Sequence, residues 1–168
     1  MSRTGLWDSH AHLDDEAFDE DREQLIAQLE QDMDGIVNPG CDAASSAVAV
    51  ELAEKYPFIY AAVGWHPENL KGIPADYLQQ LAEWAQHPKV VAIGEIGLDY
   101  YWKENEPKEV QKRIFLEQID LAKQFALPVI FMTGCARRYA GAVPEGSAWR
   151  TGSVPLLQRL AGDGEGAG

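Results

Sequence analysis

Two stretches of this sequence carry side chains that can bind a cation or move a proton. The first is Trp7-Asp8-Ser9-His10-Ala11-His12-Leu13-Asp14, with two histidines one residue apart at the end of an apolar run. On an extended strand, residues i and i+2 point to the same side. Both imidazoles would then aim at one point, which suits a divalent metal. Alone, the motif fits a pair of surface histidines about as well. The second stretch, Gly94-Glu95-Ile96-Gly97-Leu98-Asp99-Tyr100, places an acid just beyond another apolar strand. A distant carboxylate in an equivalent setting favours the metal reading.

These groups need a scaffold that brings them together. Leu6 and Trp7 open a short strand that ends at the histidine pair. Asp19 to Gln31 has helical periodicity, with Leu25, Ile26 and Leu29 on one face. Gly35 to Gly40 reads as a strand stopped by turn residues. Further helices are expected over Ala43 to Lys55, Ala75 to Ala85 and Glu106 to Phe125. Further strands are expected over Phe58 to Val63, over Val90 to Ile93 and from Pro128 to Ile130. Short continuous apolar strands alternating with helices imply a parallel sheet covered by helices. A doubly wound sheet and a barrel both fit. His10, His12, Asn38, His66 and Glu95 all fall at or just past strand ends, and a parallel barrel gathers such ends on one catalytic rim.

Composition narrows the function. The chain has 168 residues, 46% of them hydrophobic, enough for one domain with a core. No apolar run is long enough for a bilayer and no signal-peptide pattern is visible. Cys41 and Cys135 form no disulfide framework, so a reducing cytoplasm is the expected compartment. A net charge of −13 argues against passive grip on a nucleic-acid backbone. It leaves room for a nucleic-acid substrate if bound cations supply local positive charge. No membrane contact and no protein partner are predicted.

Taken together, Asp8 to Asp14, Gly64-Trp65-His66-Pro67, Gly94 to Tyr100 and Leu127-Pro128-Val129-Ile130 resemble the TatD-type metal-dependent deoxyribonucleases in order and spacing. The resemblance covers residues 5 to about 131 and implies an α/β, TIM-barrel-like metal-dependent hydrolase that cleaves phosphodiester bonds of DNA. It implies that His10 and His12 bind one metal and that Glu95 bridges two, making Glu95 the catalytic carboxylate. It also implies three further ligands, two histidines and a late aspartate. The cofactors would be two divalent ions per intact site, Mg, Mn or Zn. Two such ions can hold a phosphate, activate a water and stabilise the leaving oxygen. His66 would face the substrate, with a loop histidine bonded to backbone as the alternative. Asp8 or Asp14 could orient the ligands. Asp99 and Tyr100 could line the rim or simply pack. Trp65 and Trp102 could stack on bases, with packing under a loop as the plainer expectation. His87 reads as a helix-end residue without a chemical role.

After Ile130 the pattern breaks. The family would continue with His-x-Arg, but the chain reads Phe131-Met132-Thr133-Gly134-Cys135. Residues 1–130 hold 10 Lys+Arg against 24 Asp+Glu, whereas residues 131–168 hold 4 against 3 and include 8 of the 15 glycines. Phe-Met-Thr-Gly can be encoded TTC ATG ACC GG, and that string read from the third base gives His-Asp-Arg. A second shift from Cys135 onward permits Ala-His-Glu-Asp-Met-Gln-Glu-Leu-Tyr-Arg and later Val-Phe-His-Cys-Phe-Ser-Gly, which looks like the family's next histidine motif. Residues 1–130 are therefore expected to form the N-terminal part of a barrel, about five of eight β/α units. Residues 131–168 are expected to be an out-of-frame, disordered tail, and the truncated chain to be impaired or inactive. Two alternatives remain open: another metal hydrolase of the same barrel type acting on amides, lactones or phosphate monoesters, and a non-catalytic fragment.

Overall fold

The structure, a computed structural model, describes residues 5–132. Five strands, β1 (Trp7–Asp8), β2 (Gly35–Pro39), β3 (Ile59–Val63), β4 (Val90–Ile96) and β5 (Val129–Phe131), form one parallel sheet in the order β1-β2-β3-β4-β5. Between them run α1 (Arg22–Asp32), α2 (Ala43–Lys55), α3 (Tyr77–Ala85) and α4 (Lys108–Gln124). The order chooses between the two architectures that the sequence allows. A doubly wound sheet reverses direction at a switch point, and this one never does, as in a barrel wall.

The two faces of the sheet are unequal. Ile36, Ile59, Ala61, Val63, Val90 and Ile93 join the main core with Ile26, Leu52, Leu81, Ile114 and Ile119 from the helices. On the other face, Val37, Ala62, Val91 and Ala92 form a small second cluster, with Tyr60 and Ile130 against it. In β3 residues of opposite parity serve opposite faces, as pleating requires, whereas in β4 Val90 and Ile93 share one face and Val91 and Ala92 the other, where the register with β3 shifts. Three of the four helices match the expected segments closely. The helix expected from Asp19 begins at Arg22, because Glu16–Phe18 forms a separate single turn capped by Asp15, whose Oδ1 accepts the Ala17 N–H.

Local chemistry sets where the elements begin. Asp42 caps α2 by accepting the Ser45 N–H at 2.8 Å, and Ser45 Oγ returns the bond to the Asp42 N–H at 3.0 Å. This reciprocal box satisfies two otherwise orphaned donors. Helix α4 carries two buried glutamines seven residues apart, hence on one face. Gln111 accepts the Asp99 N–H at 2.9 Å and donates to the Asp99 carbonyl at 2.8 Å. Gln118 does the same for Trp65, at 2.8 and 3.1 Å. Each amide mimics a strand partner and fixes a loop that leaves the sheet at its C-terminal edge. The tail reading, from residue 133 onward, lies outside the described residues.

Candidate metal centre

His10 and His12 lie on irregular backbone beyond β1, which ends at Asp8. The strand geometry expected to align them therefore does not extend to them. They converge nonetheless: the two Nε2 atoms are 3.1 Å apart and the rings meet at 71°. Several bonds hold this segment. The His10 N–H donates to Asp8 Oδ1 at 3.0 Å and the Ala11 N–H to the Val37 carbonyl at 3.1 Å. Arg22, at the start of α1, donates to the carbonyls of Leu13 at 2.7 Å and Asp15 at 2.8 Å. Asn38 is not the open rim group that its position suggested. It is fully buried in β2, where Oδ1 accepts the Leu13 N–H at 2.6 Å and Nδ2 donates to Asp14 Oδ1 at 2.8 Å. Asp14 Oδ1 in turn stands 3.8 Å from His12 Nδ1, and the Nε2 side of that ring faces Glu95.

Glu95 is inside β4 rather than beyond it, because the strand continues past Ile93 to Ile96. Its N–H donates to the Gly40 carbonyl at 2.7 Å. Oε2 lies 3.4 Å from His10 Nε2 and 3.8 Å from His12 Nε2. Glycines make this approach possible. A Cβ on Gly94 would fall 2.6 Å from the Ile130 carbonyl oxygen, and one on Gly64 would fall 2.9 Å from the Gly94 carbonyl carbon. Burial alone would raise the Glu95 pKa. The hydrogen bond and charge of His10, with His66 and His12 adding, carry it below the usual value. The same hydrogen bond raises His10, against burial, with Glu95 and Asp8 charges assisting.

His10, His12 and Glu95 each offer a donor atom, all within 4.8 Å of one another. A tetrahedral ion with arms of about 2.1 Å has donor–donor edges of about 3.4 Å, so the observed edges of 3.1, 3.4 and 3.8 Å fit one. At 3.1 Å the two Nε2 atoms can share a proton in an N–H···N bond, or, with both lone pairs free, face one cation. This structural fit is independent of any family resemblance.

The remaining candidates separate. His66 stands outside that group of three, although its charge reaches Glu95. Its Nδ1 accepts the Glu68 N–H at 3.3 Å and so caps the turn Pro67–Asn69. Trp65 is buried and packs beneath its loop, as expected. Trp102, expected to pack, is 54% exposed, its ring meeting that of Tyr101 edge to face. Asp99 is buried and its Oδ1 accepts the Tyr101 N–H at 2.7 Å, so it shapes the loop rather than facing the rim. Tyr100 packs against the main core beneath the Lys108 ammonium. His87 follows α3 and pairs with Glu54 at 3.1 Å, away from the cluster. Reasoning from sequence missed the Asn38–Asp14 relay and the α4 glutamines. The signal for the latter was two amides at core positions of an otherwise apolar stripe with Ile114, Phe115, Ile119 and Ala122.

The family model for TatD related DNase matches residues 7–137. This chain belongs to the TatD family. Among its relatives in that family is an uncharacterized metal-dependent hydrolase, YabD, of Bacillus subtilis, 44% identical over 74% of this chain and 49% of the relative. The 3'-5' ssDNA/RNA exonuclease TatD of Pectobacterium parmentieri is 33% identical over 74% of this chain and 48% of the relative. The chain spans about half the length of the curated relatives it matches. The crystal structure of the TatD homolog YjjV from Escherichia coli superposes with a TM-score of 0.74 at 34% identity, covering 80% of this chain and 53% of that one. A TatD family hydrolase from Entamoeba histolytica gives 0.72 at 24% identity and speaks to the fold alone. The five described strands are thus part of a TatD-type barrel, and the family is one of metal-dependent hydrolases. No helix among the described residues is long and apolar enough to cross a membrane.

Proposed function

We propose that this chain is a metal-dependent hydrolase of nucleic-acid phosphodiester bonds, with DNA as substrate and the cytoplasm as compartment. The observation that carries the reading is the convergence of His10, His12 and Glu95 on one point. In this reading His10 and His12 would hold a divalent ion, Glu95 would serve that ion and a second one, and His66 would face the substrate. The chemistry that Mg, Mn or Zn would supply there is positive charge for the phosphate and a more acidic water. The residues supply the rest. Asp14 lies on the Nδ1 side of His12, leaving Nε2 to face Glu95. The buried ladder of β4 keeps Glu95 from swinging away. The low pKa of Glu95 leaves it ionised at neutral pH, ready to bind a cation or accept a proton. A relative's name, 3'-5' ssDNA/RNA exonuclease, supports a single-stranded end as the preferred substrate.

The described residues offer three ligands where the family resemblance implies six, so cleavage by the 168-residue chain should be weak. We read residues 131–168 as translated out of frame, and the nucleotide sequence around codons 128 to 136 decides it. Calorimetric titration with Mn and Zn tests the site itself. Removing a group that merely orients a ligand costs about 10–100-fold in affinity, so Glu95→Gln and His10→Ala should each exceed that loss. Wild-type binding that neither substitution weakens would sink the assignment.

A further inference from the structure

Six residues downstream of Glu95, the loop between β4 and α4 carries Tyr101 and Trp102, 72% and 54% exposed. They are two of the five large hydrophobic side chains most open to water among the described residues. The rings meet edge to face, with centroids 4.9 Å apart at 87°. They are not on a loose loop. The Tyr101 N–H is bound by Asp99 Oδ1, both backbone groups of Asp99 are clamped by Gln111, and the Asn105 N–H closes a turn on the Trp102 carbonyl. Holding two aromatic rings in water forgoes the burial that normally places them in a core. Here the fold spends a buried aspartate and a buried glutamine on keeping them at the edge.

The position is informative. The loop leaves the same end of the sheet that presents Glu95, and six residues of chain can reach at most about 20 Å. Exposed Lys103 adjoins the pair, but Glu104 and Glu106 follow it, so the exposed rings and not local charge carry the match. Exposed aromatic faces at the end of the sheet that carries Glu95 match single-stranded nucleic acid, whose unpaired bases stack on aromatic side chains without regard to sequence. A duplex end would keep its bases stacked inside.

We propose that Tyr101 and Trp102 form a stacking step that holds one unpaired base of a single-stranded substrate beside the metal cluster. The inference rests on the nucleic-acid reading above and adds where the strand lies. It makes the pair positioning residues, selecting single strands over duplex.

The test uses the full chain and fluorescein-labelled oligothymidylate, with affinity read by anisotropy in Mn and, separately, in chelator. Losing one base–aromatic stack should weaken binding about 5- to 150-fold. Trp102→Ala and Tyr101→Ala should each show a loss in this range, with circular dichroism unchanged, whereas Trp102→Phe should stay within about threefold of wild type because a phenyl ring still stacks. An oligonucleotide with one abasic site, walked along the strand, should reproduce the loss at one position for wild type and show none for Trp102→Ala. Oligonucleotide binding that both alanine variants leave intact would overturn the stacking step alone. Stacking losses that persist in chelator, with no gain on adding Mn, would uphold the step and overturn the metal reading. No binding by wild type under either condition would overturn both.

Discussion

Glu95 and the histidines meet at one point from unlike surroundings. Glu95 sits within a seven-residue strand between two neighbours, its side chain 14% exposed and its N–H tied to the Gly40 carbonyl just past β2. His10 and His12 sit past a two-residue edge strand, 38% and 36% exposed, on backbone held by Asp8, Asn38 and Arg22. The carboxylate is positioned by the sheet, and the imidazoles by a network of side chains. A site built this way has one fixed ligand and two that answer to polar groups, so damage to the two halves should be felt differently.

The largest effect is expected on the fixed half. Gly94→Ala would drive a methyl group to 2.6 Å from the Ile130 carbonyl oxygen and 2.7 Å from its Cβ. Overpacking of this kind should cost about 3 kcal/mol, read as a lowered urea midpoint. An unchanged midpoint would mean that β4 and β5 are not in close register beneath Glu95. The histidine half should fail more gently. Asn38→Ala strands the buried Leu13 N–H and frees Asp14, costing about 1–3 kcal/mol. It should also lower metal affinity about 10–100-fold while circular dichroism stays native. Affinity equal to wild type would show that the relay does not orient His12.

The smallest effect is on the metal-free pair. His10 is raised above 6.5, so its contribution is complete below pH 6.5 and lost as pH rises through the raised value. Glu95 is lowered below 4.5, so its contribution is complete above pH 4.5 and lost as pH falls through the lowered value. In chelator, the melting temperature of wild type should therefore exceed that of His10→Ala most between pH 4.5 and 6.5. With His10 more than a third exposed, the gain should be below about 1 kcal/mol. A gap that widens steadily above pH 7 would contradict the pairing.

Much of this was legible in the residues. Buried parallel strands announce themselves as unbroken apolar runs, and β2, β3 and β5 fell within a residue or two of expectation. The end of β4 was hidden because Gly94-Glu95 interrupts the run, although hydrogen bonding does not stop there. His10 and His12 were correctly paired for an incomplete reason. Their convergence comes from long-range bonds that hold the segment past β1, from Val37, Asn38 and Arg22, and not from strand alternation. Trp102 was misjudged because exposure depends on how a loop is folded back, which Asp99 and Gln111 decide through contacts that no local pattern encodes. Strand order, too, is a long-range property that alternation alone left open.

Gln111 and Gln118 give helix α4 a role beyond covering the sheet. Each grips one outgoing loop, the first below Tyr101 and the second beside His66. The seven-residue interval between them acts as a ruler, so the two segments keep their separation only while that helix keeps its register. One residue inserted between the glutamines would rotate one grip by about 100° around the helix and release its loop, with the metal ligands themselves untouched.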